Sequence, residues 1–156
     1  SSAYTVVKDS RDEKVNFSYR DNLWQGSDLL ATGIASFGHA SGIHYQNIAD
    51  MAKYQSDLMD KNQLPLGRAF RPSPDQLLIR EMILQLKRGY LDVDYFRDKF
   101  DVDITQRWAA EFGQHAENGM LTVSSDRIVL TRKGFLHADA LLPPFFEAEH
   151  QGIRYT

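Results

Sequence analysis

Two histidines five positions apart, His39 and His44, sit in a stretch where glycine recurs at Gly33, Gly38 and Gly42. Imidazole can bind a ligand or carry a proton near neutral pH, and glycine lets backbone come close to a ligand or turn tightly. Segment 28–47 is therefore the first place to look for chemistry. One reading has His39 or His44 facing a pocket, where it binds or protonates a substrate. Glycine-rich backbone would then form the wall against a flat or adenosyl-containing ligand. The other reading is a strand-to-loop turn with surface histidines. Spacing removes several specific alternatives. The glycines do not fit G-x-G-x-x-G, and no Gly-Lys-Ser/Thr is present. His115, His137 and His150 complete the set of five histidines, and no pair has the H-E-x-x-H arrangement. The 156 residues include no cysteine, which excludes a disulfide framework, a thiolate-ligated metal site and a cysteine nucleophile within this sequence.

The elements that must position these residues follow from periodicity. Val15, Phe17 and Tyr19 alternate with polar neighbours and predict a strand to Arg20, with Tyr4 to Val7 a weaker one and Lys8 to Lys14 a loop between them. Leu29 and Leu30 predict a buried strand leading into the glycine-rich turns. From Asn47, read as a helix cap, Ile48, Met51, Tyr54 and Leu58 form a helical stripe. Leu64 to Arg68 reads as a connector. Ser73-Pro74-Asp75-Gln76 is a capping box with proline at the first helical position, and Leu78, Met82 and Leu86 then line one face until Gly89. A short helix is predicted over Val93 to Phe100. Another starts at Asp103, with Ile104, Trp108, Phe112 and Ala116 on one side, and ends at Asn118-Gly119. Met120 to Val123 and Arg127 to Leu130 form a hairpin. A last helix covers Phe135 to Leu142, Pro143-Pro144 ends it, and the tail from Phe145 to Thr156 shows no period.

Three helices, a hairpin and a closing helix are a winged-helix-like order, so the fold class is α+β. Composition limits what such a fold does here. Net charge is −3, and the outward side of the helix from Asp103 offers Gln106, Arg107, Glu111, Gln114 and Glu117, a nearly neutral set. A groove-binding helix needs positive charge for phosphates, so nucleic acid is not the expected partner. No apolar run reaches the roughly 20 residues that cross a bilayer, and Ser1-Ser2-Ala3-Tyr4 does not start a signal peptide. These features predict a cytoplasmic domain with no membrane contact. Its first strands have too few partners for a sheet of their own and read as the end of a larger one.

The order of motifs resembles the oxygen-independent coproporphyrinogen III oxidases, the HemN-like radical S-adenosylmethionine (SAM) proteins. The resemblance is carried by Asp28-Leu29-Leu30, Gly33, Ala35-Ser36-Phe37 and Tyr45-Gln46-Asn47, followed by Tyr54. It continues through Arg71 to Gln76, Arg80 to Lys87 and Leu91-Asp92. Glu117-Asn118-Gly119-Met120-Leu121 and Leu130-Thr131-Arg132-Lys133-Gly134-Phe135-Leu136 complete it. It covers nearly the whole chain.

The resemblance implies terminal strands of a partial barrel over 1–47, a connecting helix and linker over 48–72, a winged-helix-like substrate-covering domain over 73–144 and a tail over 145–156. It implies SAM and a four-iron four-sulfur cluster in the complete protein, with the cluster's cysteines outside this sequence, and the rest of the barrel as a partner. Cofactor contacts are implied at Phe37, Ser36 and Gly33. Contacts to a haem or porphyrinogen substrate are implied at His39 and Arg71, with Arg68 and Arg80 as further candidates for its propionates. Departures occur at Ala31, Ser36 and Gly38, where the family has Gly, Ala and Ser. His137-Ala138-Asp139-Ala140 and the closing Pro143-Pro144-Phe145-Phe146 to Tyr155-Thr156 are closer to the haem-utilisation (ChuW/HutW-like) branch. The alternative is a haem carrier or protein-interaction module without its own catalysis.

Overall fold

The computed structural model describes residues 17–148. Within them, residues 18–77 form one compact unit and the residues from Leu78 onward another. The expectations for 1–16 and for 149–156, including the strand over Tyr4 to Val7, lie outside the described residues.

The first unit opens with helix α1 (Ser18–Trp24), not the strand predicted to Arg20. Six alternating residues also fit barely two helical turns, and the i,i+4 neighbours Arg20 and Trp24 meet, with the guanidinium 5.1 Å from the ring centre. Strands β1 (Phe37–Ala40), β2 (Ile43–Asn47) and β3 (Leu66–Phe70) form an antiparallel sheet in that order. The β1–β2 turn places Ser41 at φ 50° and Gly42 at φ 74°. Positive φ at both central residues is the turn whose twist matches a hairpin, which explains the glycine. The buried strand predicted at Leu29-Leu30 shrinks to a single bridge, Leu29 pairing with His39, while Leu30 is exposed. Leu66 to Phe70 is a strand where a connector was predicted. Pro65 and Gly67 mask its alternation, although Gly67 is where backbone passes close to the Gln46 carbonyl at the β2 bulge. Helix α2 (Met51–Gln55) runs into one π-helical turn (Ser56–Asp60), and its cap is Asp50, which accepts from Lys53 N at 2.7 Å. Asn47 is not the cap.

The second unit contains the core. α3 (Pro74–Leu86) begins with the predicted box: Gln76 N donates to Ser73 Oγ at 3.1 Å and Ser73 N donates to Gln76 Oε1 at 3.0 Å. Gly89 (φ 100°) turns the chain into β4 (Tyr90–Asp92). The sequence reading did not find β4, whose three residues are too few to show a period. Asp92 then caps α4 (Val93–Phe100). The single helix predicted from Asp103 is two, α5 (Ile104–Arg107) and α6 (Ala109–Glu117), interrupted at Trp108 (φ −116°, ψ 38°). The break leaves Ile104, Trp108 and Phe112 all buried. β5 (Leu121–Val123) and β6 (Arg127–Leu130) form the expected hairpin, and β4 joins it to give the order β4-β6-β5. α7 (Arg132–Leu136) starts earlier than predicted because Thr131, not the region of Phe135, is its cap. Short 3-10 turns follow at Ala138–Leu141 and Pro143–Phe145. The prolines do not release the chain: Phe145 is 2% exposed and packs edge-on to Trp108 with ring centres 5.8 Å apart. Apart from Pro65 and Pro72, every buried aliphatic or aromatic side chain among the described residues lies at or after Leu78.

Candidate functional site

The sheet β1-β2-β3 brings two of the candidate residues, Phe37 and His39, onto one face. Side chains alternate along a strand, so the register determines which residues share a side. Phe37 pairs with Gln46 and Gln46 with Arg68; His39 pairs with His44 and His44 with Phe70. These rows border a cavity of about 260 Å³ lined by Phe37, His44, Gln46, Arg68 and Phe70, together with Tyr45 and Ala69. Phe37 and Phe70 expose their rings there. Arg68 Nε donates to Gln46 Oε1 at 2.7 Å, and Gln46 Nε2 donates to the Ala35 carbonyl at 2.9 Å, so the guanidinium is held in place by its neighbour. His39 is 5% exposed, and its Nδ1 lies 3.2 Å from Nδ1 of His44.

The loop at 31–36 is shaped by the residues that follow it. Tyr45 Oη accepts from Ala31 N at 2.8 Å and Tyr54 Oη accepts from Gly33 N at 3.0 Å. Buried Asn47 donates through Nδ2 to the carbonyls of Gly33 (3.0 Å) and Ala31 (3.3 Å), and its own N donates to the Ser36 carbonyl at 2.9 Å. This gives Tyr45-Gln46-Asn47 and Tyr54 a physical role, since together they pin the loop's backbone. It also accounts for Gly38, where a Cβ would occupy the space of the Tyr45 ring.

The sequence candidates therefore separate. Phe37 and His39 share the cavity-bearing face. The Ser36 hydroxyl donates to the carbonyls of Thr32 (2.8 Å) and Ile34 (3.4 Å), and Gly33, at φ 94°, gives the loop its bend. Arg71 is exposed just past β3 and does not line the cavity. Phe70 and Gln46 were missed. Phe70 was invisible because β3 was read as a connector, and Gln46 because its work is to hold Arg68. On the opposite side of the same unit, a hollow of about 710 Å³ is lined mostly by apolar side chains, among them Leu30, Ile43, Tyr45, Leu58, Leu64 and Leu66.

In the second unit Glu81, Tyr95 and Lys99 form a polar cluster. Tyr95 donates to Glu81 Oε2 at 2.6 Å, and Lys99 Nζ donates to both Glu81 oxygens and to the Tyr95 hydroxyl. Burial first, and the adjoining Glu81 carboxylate second, push the Tyr95 phenol well above its usual range. Arg80 keeps Nη1 buried without a hydrogen bond among the described residues, and burial lowers its pKa. At the surface, Asp103 caps α5, and the Thr105 hydroxyl and then Arg97 hold its carboxyl far below the carboxylate range. Among the described residues no group of three metal-ligating side chains occurs, and no helix is long and apolar enough to cross a membrane.

The fold and face together define an α+β protein: a three-stranded antiparallel sheet with a small aromatic and cationic cavity, then a helical unit closed by its own three-stranded sheet. Residues 73–137 match the HemN C-terminal domain family. The chain is 28% identical over 112 residues to the oxygen-independent coproporphyrinogen III oxidase of Helicobacter pylori strain J99, covering 69% of the chain and 24% of that protein. It is 27% identical over 135 residues to the enzyme of that name from Thermostichus vulcanus, covering 84% of the chain and 41% of that protein. The structure of coproporphyrinogen III oxidase (HemN) from Escherichia coli, described as a radical SAM enzyme, superposes with a TM-score of 0.63 at 21% identity over 76% of this chain and 28% of that one. The chain thus spans well under half the length of these relatives.

Proposed function

We propose that this chain is the C-terminal part of a radical SAM enzyme acting on a tetrapyrrole, in the haem-utilisation branch, and that it works in the cytoplasm. The match of residues 73–137 to the HemN C-terminal domain carries the reading. Two features of the chain support it. The sheet unit has no buried apolar core of its own and exposes Leu30, Leu58, Leu64 and Leu66 around its larger hollow. An apolar surface of this kind is normally covered, and the rest of a barrel would cover it. The closing sequence Pro143-Pro144-Phe145-Phe146 supports the haem branch over the coproporphyrinogen one.

The residues present fit part of the implied cofactor set. A sequence without cysteine holds no thiolate for an iron–sulfur cluster, so no step is assigned to it here. The cavity beside Phe37 is smaller than the roughly 300–1,000 Å³ that encloses a whole ligand, so in this reading it takes only part of one, beside the exposed rings of Phe37 and Phe70. In this reading SAM supplies the radical or the methyl group when bound, and the chain binds and orients. Phe37 contacts the cofactor, with Ser36 and Gly33 setting the loop's shape. His39 contacts the substrate, and Arg68 and Arg71 attract its carboxylates.

The test is an anaerobic assay of the full-length protein with reductant and SAM, offered haem and coproporphyrinogen III in parallel. SAM consumption with loss of haem is expected, and Phe37→Ala should reduce turnover. Turnover of coproporphyrinogen III alone would keep the enzyme class and remove the haem branch. Haem bound and passed on without SAM consumption would replace the reading with a carrier.

A further inference from the structure

The guanidinium of Arg68 is oriented but not neutralised. Its Nε donates to Gln46 Oε1 at 2.7 Å, and Gln46 Nε2 donates in turn to the Ala35 carbonyl at 2.9 Å. That second bond fixes which way the Gln46 amide points. Turned over, the amide would set an N–H against the Arg68 Nε–H and its oxygen against a carbonyl. Among the described residues neither Nη of Arg68 has a hydrogen bond or an ion pair. Nε is occupied, so the edge still open is the end-on fork of the two Nη groups. The planar fork matches the two oxygens of a carboxylate.

The cavity that Arg68 lines has no aspartate, glutamate or lysine among its lining residues. A single guanidinium balances a single negative charge, which suits a carboxylate better than a phosphate monoester of nearly twice the charge. The neighbouring surface is aromatic. Phe70 follows Arg68 by two positions on β3, so it projects to the same side about 6.5 Å further along the strand. The pairing of Arg68 with Gln46 and of Phe70 with His44 fixes both on that face. Phe70 lines the same cavity and is 58% exposed. A carboxylate on Arg68 therefore leaves the ring that carries it, on a short arm, beside Phe70.

We propose that this cavity is a subsite for a carboxylate carried on a short arm from a flat apolar ring. Arg68 takes the carboxylate end-on through both Nη groups, and Phe70 contacts the ring. Gln46 is a positioning residue that acts through Arg68. Within the tetrapyrrole reading, on which the ligand's identity rests, the carboxylate is a propionate of the substrate. The subsite holds that edge of the ligand and not the whole of it. The geometry by itself requires only the ring, the arm and the carboxylate.

The experiment measures equilibrium binding to the full-length protein by fluorescence. The probes are mesoporphyrin IX and its dimethyl ester, which share a ring and differ only in whether the carboxylates are free. A naphthylpropionate and its methyl ester repeat the comparison without a tetrapyrrole. Arg68→Met should weaken binding of the free acids about 10- to 100-fold, the worth of hydrogen bonds to a charged group, and leave ester binding unchanged. Gln46→Glu keeps the side chain's shape but neutralises the guanidinium, and should cost the acids as much. Gln46→Leu should cost them less, because the charge stays and only its direction is lost. Arg68→Lys should not restore wild-type affinity, since an ammonium presents no fork. Lys53→Gln, on α2 and outside the cavity, should change nothing. Far-UV circular dichroism reports that each variant keeps its fold. Equal losses for acid and ester overturn the subsite, and so does acid affinity that survives Arg68→Met or Gln46→Glu. Arg68-dependent binding of the naphthylpropionate without porphyrin binding keeps the subsite and removes the tetrapyrrole. Failure of both free acids to bind overturns the two together.

Discussion

At the scale of single residues, two glycines illustrate opposite constraints. Gly134 follows the cap of α7: Thr131 Oγ1 donates to the carbonyls of Gly119 (2.8 Å) and Met120 (3.1 Å) and accepts from Gly134 N at 3.1 Å. This draws α7 so close to the β5 entry that a Cβ on Gly134 would overlap the Met120 carbonyl, which is backbone and cannot rotate away. Gly113, inside α6, would place a Cβ in open space. Gly134→Ala should therefore destabilise the protein by about 1–3 kcal/mol or more, as overpacking does, whereas Gly113→Ala should stabilise it by about 0.5–1 kcal/mol, the usual gain over glycine in a helix. Urea denaturation of both variants checks the pair. Equal effects of the two would show that Gly134 is not held against Met120. The sequence pattern Leu-Thr-x-x-Gly singled out Gly134, but only the packing shows why the position excludes every larger side chain.

At the scale of elements, α3 and α4 are joined by a polar bridge within an otherwise apolar contact. Glu81, 3% exposed on α3, receives hydrogen bonds from Tyr95 and Lys99 of α4. The Tyr95 pKa is raised above its ordinary value near 10, so the folded state favours the protonated phenol. The associated stability is complete below about pH 10 and is lost as pH rises toward the folded-state pKa, because the unfolded chain releases its proton first. Tyr95→Phe removes this dependence. The variant should lose about 1.5–3 kcal/mol at pH 7, where Glu81 loses a donor, and its stability should fall less steeply than wild type between pH 9 and 11. Parallel slopes in urea midpoint against pH would exclude Tyr95 as the source. These helices were legible from sequence because Leu78, Met82 and Leu86 repeat cleanly and Ser73 to Gln76 is a complete box. The sheet carrying the candidate site was less so. β3 and β4 are short, Pro65 and Gly67 obscure the former, and both strands pair with partners distant in sequence. Asn47 was misread for a related reason: its type suits a cap, but its buried amide is committed to carbonyls in another segment.

At the scale of the molecule, the two units differ in what holds them together. From Leu78 onward, a continuous cluster runs from Leu78 through Phe96, Ile104, Phe112 and Ile128 to Phe145, all at 2% exposure or less. Residues 18–77 bury no comparable side chain; beyond Gly38, Pro65 and Pro72, their buried residues are polar, namely His39, Asn47 and Asp57. Hydrogen bonds organise that unit, and a typical one contributes only about 0.5–1.5 kcal/mol net, whereas each large apolar side chain taken from water contributes about 1.5–3 kcal/mol. Conformational entropy, at about 1–2 kcal/mol per backbone residue, is therefore offset in the second unit and not in the first. A fragment spanning 73–156, which keeps the Ser73–Gln76 box, should unfold in one cooperative transition. A fragment spanning 18–72 should show no transition and should bind a hydrophobic dye through Leu30, Leu58, Leu64 and Leu66. Cooperative unfolding of 18–72 without dye binding would mean that its hydrogen-bonded loop and sheet suffice on their own, and the exposed hollow would then no longer argue for a covering barrel.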